Sequence, residues 1–229
     1  MNMNKSLLGI IDATQNFESL DILTNHRNVA ALPIAGRFRL IDFILSSMVN
    51  SGISNVAVYP QHHFRSLMDH LGTGKNWDLN RKRDGLFFLP VPHTAETNGE
   101  ITSLEHFSYH MTYLERSEQE FVVVANSHTV CNIDFNAVLK EHLKMGGDIT
   151  EVKKGKVSLN MYVLKKDLLV KLIEERKETG YTSVSEAVQD HYSGFKVNVY
   201  EYDGYLATVD SIGSYFQTSM ELLKVDNWY

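Results

Sequence analysis

Cysteine and proline are scarce in this sequence, and long apolar runs are missing. Cys131 is the single cysteine, so an intrachain disulfide is excluded and a reducing compartment is expected, with the thiol as a small buried side chain. The apolar run within MNMNKSLLGIID is about five residues long, which is too short for a signal peptide or a membrane span. No later run is long enough for either, so we expect a cytoplasmic protein without membrane contact.

Positive charge is scarce as well. The 22 lysines and arginines are outnumbered by 28 acidic residues, which gives a net charge of −6. This balance offers no electrostatic reason to expect nucleic acid or an anionic membrane as a partner. What is present, 43% hydrophobic residues in a chain of 229, is typical of a globular protein with a substantial core.

Short apolar runs alternate with segments of helical periodicity along the chain. Strands are predicted at 6–12, 55–60, 120–127, 148–152, 157–166 and 196–209, and helices at 38–52, 63–72, 101–117, 135–147 and 167–180. This alternation predicts an α/β fold with a doubly wound, mostly parallel sheet and helices on both faces. One domain over residues 1–229 is the simplest interpretation.

Ligands of such folds bind at the carboxyl ends of the strands. The loops after Asp12, Tyr59 and Ala125 are therefore the expected site. The first of these loops, ATQNFESL at residues 13–20, contains no glycine, although a glycine-rich loop commonly binds phosphate at this position.

Two segments carry a family resemblance. LPIAGRFRLIDF within residues 23–58, and FRSLMDHLGTGKNWDLNRKRDG at 64–85, resemble glucose-1-phosphate adenylyltransferase, the ADP-glucose pyrophosphorylase of glycogen and starch synthesis. The second segment is similar in particular to the regulatory-type subunit that accompanies the catalytic one in some bacteria. The resemblance extends through residues 204–223 and implies a Rossmann-like nucleotidyltransferase domain, without the left-handed β-helix that follows it in the family.

The resemblance also identifies positions where the family's chemistry would lie. The phosphate loop of the family, roughly G-G-x-G-T-R-L, falls on residues 13–20, with Ser19 at the position of the arginine. Val29 stands where the family has a lysine. The two aspartates that hold Mg²⁺ fall on Ser127 and Thr208. We therefore expect no catalytic residue and no metal site in this chain, and Mg²⁺ only in a catalytic partner.

Two features leave alternatives open. Asp210 lies two residues after Thr208 and would share its face in an extended segment, so it could replace part of the metal site. Residues 153–156 form the whole connection where the family inserts a few tens of residues that contact glucose-1-phosphate. Either the lineage lost this segment or the chain was shortened.

Basic residues supply candidate contacts for phosphate or an effector, since guanidinium groups suit such anions. A solvated loop is the plainer interpretation of residues 75–85. The candidates are Arg27, Arg37, Arg39, Lys75, Arg81 and Arg83.

Three functions are compatible with these observations. The favoured hypothesis is a catalytically silent, regulatory subunit that modulates a catalytic glucose-1-phosphate adenylyltransferase allosterically, in a heterotetramer, during glycogen biosynthesis. The second is a weakly active ADP-glucose pyrophosphorylase that uses Asp12 or Asp210. The third is a module that senses a sugar phosphate or nucleotide.

Overall fold

The structure is a computed structural model that describes residues 7–81, 84–92 and 101–224. Its strands are β1 (Leu7–Ala13), β2 (Pro33–Ile34), β3 (Phe38–Arg39), β4 (Asn55–Pro60), β5 (Gly85–Phe88), β6 (Phe121–Asn126), β7 (Thr129–Val130), β8 (Ile149–Lys154), β9 (Val157–Lys165), β10 (Val197–Glu201) and β11 (Ala207–Thr208). Its α-helices are α1 (Asp21–Thr24), α2 (Leu40–Asn50), α3 (Arg65–Leu71), α4 (Ser103–Ser108), α5 (Met111–Arg116), α6 (Phe135–Met145), α7 (Lys166–Glu174), α8 (Arg176–Thr179), α9 (Val184–Gln189) and α10 (Ile212–Glu221).

Seven strands form one sheet in the order β10-β8-β9-β6-β1-β4-β5. β9 is antiparallel to both of its neighbours, β6 and β8, while the other four pairings are parallel. The predicted doubly wound, mostly parallel sheet is thus confirmed. Two short antiparallel ribbons, β2–β3 and β7–β11, lie outside this sheet.

Apolar layers cover both faces of the sheet. β1 shows the alternation: Ile11 belongs to the layer that includes α2, α3 and α6, and Ile10 belongs to the layer that includes α4, α5, α7 and α9. Gly9 allows α2 to pack closely, because a Cβ there would lie 2.7 Å from Met48 Sδ. A third apolar cluster, which includes Leu20 and Val29, joins the first loop to the β7–β11 ribbon and α10.

Two predicted helices are wrong in extent. The helix expected at 101–117 is divided into α4 and α5, because the chain leaves helical geometry at His110 (φ −122°, ψ 28°), whose Nε2 lies 2.9 Å from the carbonyl oxygen of Pro90. The helix expected at 167–180 is divided at Glu175, where ψ is 0°.

Two further boundaries also differ from the prediction. The helix expected at 38–52 begins at Leu40, because Phe38–Arg39 pairs with Pro33–Ile34 as a ribbon. The strand expected at 196–209 is divided into β10 and β11. Between them the Tyr202 hydroxyl donates to the carbonyl of Tyr205 at 3.0 Å and accepts from the Asn132 amide at 3.2 Å, which turns the chain out of the sheet.

Candidate functional site

A cleft of about 620 Å³ opens at the carboxyl ends of β1 and β6, where the site is expected. Its walls come from the loops after β1, β4 and β6, from β9, and from the first turns of α4 and α9. The lining residues that matter below are Asp12, Gln15, Asn16, Phe107, Asn126, His128, Asn160, Tyr162, Ser185, Glu186 and Gln189.

Asp12 organises the loop that follows β1. Its Oδ1 accepts hydrogen bonds from the backbone amide of Thr14 at 3.0 Å and from the Thr14 hydroxyl at 2.6 Å. Its Oδ2 accepts from the Ser103 hydroxyl at 2.5 Å. A carboxylate with three donors therefore fixes this loop against the start of α4. The loop is closed by side chains, instead of presenting a row of backbone amides to a phosphate.

A smaller pocket of about 170 Å³ adjoins the cleft beneath the same loop, and both Arg27 and Val29 line it. The Asn28 side chain donates to the carbonyl of Ala13 at 2.9 Å, which fixes the segment to the end of β1. Val29 is only 2% exposed and packs in the third apolar cluster. The position identified with the family's lysine is therefore part of a core.

The two positions identified with metal aspartates lie in the β7–β11 ribbon or just before it. Thr208 pairs with Thr129, and the Val209 amide donates to the carbonyl of His128 at 3.0 Å. Ser127, the residue before His128, is 1% exposed. The sequence analysis did not predict this ribbon.

Asn126 closes the turn between β6 and β7, and sequence reasoning did not single it out for this role. Its Oδ1 accepts from the amides of His128 and Thr129 at 3.1 and 3.0 Å, while its Nδ2 donates to the carbonyl of Leu159 at 2.7 Å. Asparagine at the end of a strand commonly forms such turns. That preference was the available signal.

His128 is buried beside the cleft in uncharged form. It is 5% exposed, and its ring packs edge-on against Phe17 at 4.9 Å between centroids. Burial lowers the pKa of His128 to about 4, although Asp12 and Asp210 oppose that shift. Its Nδ1 has no hydrogen-bond partner among the described residues.

The side chains present at these positions do not fit Mg²⁺, which prefers carboxylate oxygens in octahedral geometry. Ser127 and Thr208 offer only neutral hydroxyl groups. Asp12 already accepts three hydrogen bonds, and Asp210 Oδ1 accepts one from the Ser214 hydroxyl at 3.0 Å. The part of the chain that the structure describes contains no group of three or more His, Cys, Asp or Glu residues that could hold a metal ion.

The candidate basic residues are not gathered in one place. Arg39 Nη1 donates to the carbonyls of Ala31 and Ser66, both at 3.2 Å. Arg81 donates to Asp78 at 2.6 Å, and the Arg37 guanidinium lies 4.9 Å from the centre of the Phe38 ring.

The remaining candidates have separate locations. Lys75 begins a short 3-10 turn, Lys75–Trp77. Arg83 lies outside the described residues. Arg27 alone among the described candidates lines one of the two pockets at the carboxyl edge of the sheet.

The short connection at 153–156 is a tight hairpin between β8 and β9, with Lys154 paired to Val157. Gly155 occupies the left-handed region at φ +59°, and its amide donates to Glu201 Oε1 at 2.6 Å. The turn is thereby attached to β10, and no lobe extends from it over the cleft.

The sequence profile of the nucleotidyl transferase family matches residues 19–158. The chain belongs to that family. Two relatives of this chain are named glycogen biosynthesis protein GlgD. The protein from Bacillus subtilis (strain 168) is 48% identical over 225 residues, and that from Geobacillus stearothermophilus is 52% identical over 228 residues.

The alignments with the two GlgD proteins cover nearly all of this chain but only part of each relative. The two alignments cover 98% and 99% of this chain but 66% of each relative, so the chain spans about two thirds of their length. Glucose-1-phosphate adenylyltransferase of Clostridium novyi (strain NT) is 25% identical over 266 residues, which cover 98% of this chain and 69% of that enzyme. That alignment exceeds the 229 residues of this chain, so the enzyme carries residues that this chain and the two aligned GlgD segments lack.

The fold agrees with the family. A crystal structure described as a glucose-1-phosphate thymidylyltransferase from Bacillus anthracis, in complex with sucrose, matches with a TM-score of 0.72 and 12% identity over 96% of each chain. At this identity the match concerns the fold alone. Across the described residues, none of the helices has both the length and the apolar character that crossing a membrane requires.

Proposed function

We propose that this chain is a non-catalytic, regulatory member of the nucleotidyl transferase family. It acts in glycogen biosynthesis by modulating a catalytic glucose-1-phosphate adenylyltransferase, with which the full protein forms a heterotetramer. The observation that carries the proposal is the β7–β11 ribbon. It pairs Thr208 with Thr129, two residues after Ser127, and the resemblance expects a carboxylate at both Ser127 and Thr208.

The rest of the site supports the same function. The first loop has no glycine, Ser19 and Val29 replace an arginine and a lysine, and Val29 is buried among apolar side chains. Transfer between two phosphate groups needs charge compensation on both. The two relatives named glycogen biosynthesis protein GlgD support a role in glycogen biosynthesis.

Regulation by a silent subunit requires that it bind two states of its catalytic partner with different affinity, since only differential binding shifts an equilibrium. The test measures pyrophosphate release from ATP and glucose-1-phosphate with Mg²⁺. The protein is assayed alone, the catalytic subunit alone, and the two together. We expect no release from the protein alone, co-elution of the two chains, and a changed KM in the mixture. Steady release by the purified protein alone would contradict the proposal and favour a weakly active enzyme.

Ligand sensing is a second candidate, because the cleft of about 620 Å³ is kept although the catalytic positions are replaced. A sensing module binds a small molecule without turnover and need not contact a catalytic chain. Calorimetry with ATP and glucose-1-phosphate tests whether the chain senses a nucleotide or a sugar phosphate. Lack of binding of both ligands below about millimolar concentration would argue against such a sensor.

A further inference from the structure

The cleft walls carry little positive charge. No lysine or arginine is found among the described residues that line the cleft. Two carboxylates, those of Asp12 and Glu186, do line it. His128 lines the same walls as a neutral imidazole at neutral pH, because burial lowers its pKa to about 4. His62 lines the cleft as well. With two carboxylates and no lysine or arginine, the described walls favour an anion less than a site that holds a phosphorylated ligand does.

A phosphate group would be poorly accommodated there. Moving an anion from water into a protein cleft is unfavourable unless a cation or several donors compensate it, and the carboxylates of Asp12 and Glu186 would repel it. Arg27 lines the adjoining pocket, together with Asp21. Among the described residues that line the cleft, none is a lysine or arginine, and the imidazoles are those of His62 and His128.

The polar groups that do line the cleft suit hydroxyl groups. Amide and hydroxyl side chains can both donate and accept hydrogen bonds, and carboxylates accept them. A hydroxyl-rich ligand matches both kinds of group, whereas an ionised phosphate can only accept. The side chains concerned are Gln15, Asn16, Asn160, Tyr162, Ser185 and Gln189.

The size of the cleft and the contacts in its wall agree with this chemistry. A volume of about 620 Å³ lies within the usual range for small-molecule sites. Tyr162 donates to Asn160 Oδ1 at 3.1 Å, and the Ser185 hydroxyl lies 3.5 Å from the same oxygen. These contacts connect β9 to α9 across one side of the cleft.

We propose that the cleft binds an uncharged, hydroxyl-rich ligand, a non-phosphorylated saccharide, in preference to the corresponding sugar phosphate. The inference rests on the regulatory function proposed above and deepens it by giving the chemical class of the effector. It reverses the ligand preference that the family resemblance implies for this position.

Matched ligand pairs test the inference. Glucose and maltose are each compared with their 1-phosphates by calorimetry and by ligand-observed NMR, at low salt so that electrostatic differences are retained. We expect maltose to bind with a Kd about tenfold or more below that of maltose 1-phosphate. Equal or tighter binding of the phosphates would overturn the inference, as would the lack of any binding of the two uncharged sugars below about 10 mM.

Two matched glutamine variants locate the effect. Gln189 lies at the cleft and Gln217 on α10, and both are exposed. Gln189→Lys should raise the affinity for maltose 1-phosphate about fivefold or more by adding a cation at the cleft. Gln217→Lys adds the same charge away from the cleft and should leave the affinities for maltose and for maltose 1-phosphate unchanged. Equal effects of the two variants would mean that the sugars bind at another place, which would overturn the inference.

The outcome is separable from that of the proposed function. If maltose binds but the protein leaves the kinetics of the catalytic subunit unchanged, with and without maltose, the cleft assignment stands and the regulatory function fails. If the protein changes those kinetics but binds neither uncharged sugar, the regulatory function stands and the cleft assignment fails.

Discussion

The Ser19 hydroxyl donates to the backbone carbonyl of Asp210 at 2.5 Å, joining residues 191 positions apart in the chain. Ser19 stands where the family resemblance expects an arginine, and Asp210 follows the position expected for a metal aspartate. A short neutral hydrogen bond therefore lies where two oppositely charged side chains are expected. The first loop and the β7–β11 ribbon are connected through it.

Removing this hydroxyl should have a small effect, because Ser19 is exposed and water can replace it. Ser19→Ala is expected to lower the free energy of unfolding by about 0.5–1.5 kcal/mol, measured by urea denaturation. Ser19→Arg should lose the same contact and still release no pyrophosphate, since Val29 and Thr208 are unchanged. Turnover in that single variant would contradict the proposed loss of catalysis.

Replacing Val29 by the lysine that the family resemblance expects should destabilise the protein. Val29 is 2% exposed among apolar neighbours, so Val29→Lys places a charge in a core without a partner. We expect a loss of at least about 2–4 kcal/mol in unfolding free energy. Val29→Ile is the apolar control and should lower the free energy of unfolding less than Val29→Lys does, because it adds a methylene but buries no charge. A lysine variant as stable as the wild type would show that this position opens to solvent.

The turn at Asn126 depends on three hydrogen bonds from one side chain. Asn126→Ala removes both the acceptor and the donor. We expect the free energy of unfolding to fall by about 2–4 kcal/mol. Asn126→Asp keeps the acceptor for the amides of His128 and Thr129 but loses the donor to Leu159, so its stability should be intermediate. Denaturation of the three proteins side by side checks this order, and an aspartate variant less stable than the alanine variant would contradict it.

Stability should decrease in mild acid because of two buried histidines. Burial lowers the pKa of His106 to about 4, with His110 adding to the shift against a hydrogen bond to Leu89, and burial lowers that of His128 to about 4. Between about pH 6.5, the ordinary value, and about pH 4, the unfolded chain binds more protons than the folded one. Stability is therefore fully present above about pH 6.5 and is lost as the pH falls through that window.

The size of this loss is up to about 3 kcal/mol for each histidine. Urea midpoints measured between about pH 7.5 and about pH 4.5 test it. His128→Gln should be less stable at neutral pH but should show a flatter dependence on pH. An unchanged slope in that variant would assign the acid sensitivity to other groups.

Cys131 should be unreactive in the folded protein. It is 4% exposed, and burial raises the pKa of its thiol to about 12. A disulfide reagent should modify it at least about 100-fold more slowly in the native state than in guanidinium at the same pH, because only the accessible thiolate reacts. Fast stoichiometric labelling of native protein would contradict the buried assignment.

Much of the fold could be predicted from local sequence, because helices and strands are recognised by their hydrophobic periodicity and by the residues at their ends. The run FVVVAN of β6 is apolar on both faces and bounded in sequence, so its strand was evident. The small ribbons were not evident. Thr208 pairs with Thr129 over two residues, which gives no periodicity to recognise, and the division between β10 and β11 depends on the distant contact of Tyr202 with Asn132.

The candidate site shows the same limit. The positions of Ser127 and Thr208 could be inferred from the resemblance, but the three donors on Asp12 and the uncharged state of His128 depend on burial and on residues far apart in sequence. Ser103, which donates to Asp12, lies 91 positions away. Such neighbours are set by tertiary packing, which local patterns do not specify.

The order of strands in the sheet has a consequence for synthesis of the chain on the ribosome. β6 lies between β1 and β9, so translation must produce β8 and the hairpin turn before the second neighbour of β6 exists. Until Lys165 has emerged, the nascent chain exposes a fully apolar strand edge that can pair with another polypeptide. A ribosome stalled before Val157 would leave this edge for chaperones to protect.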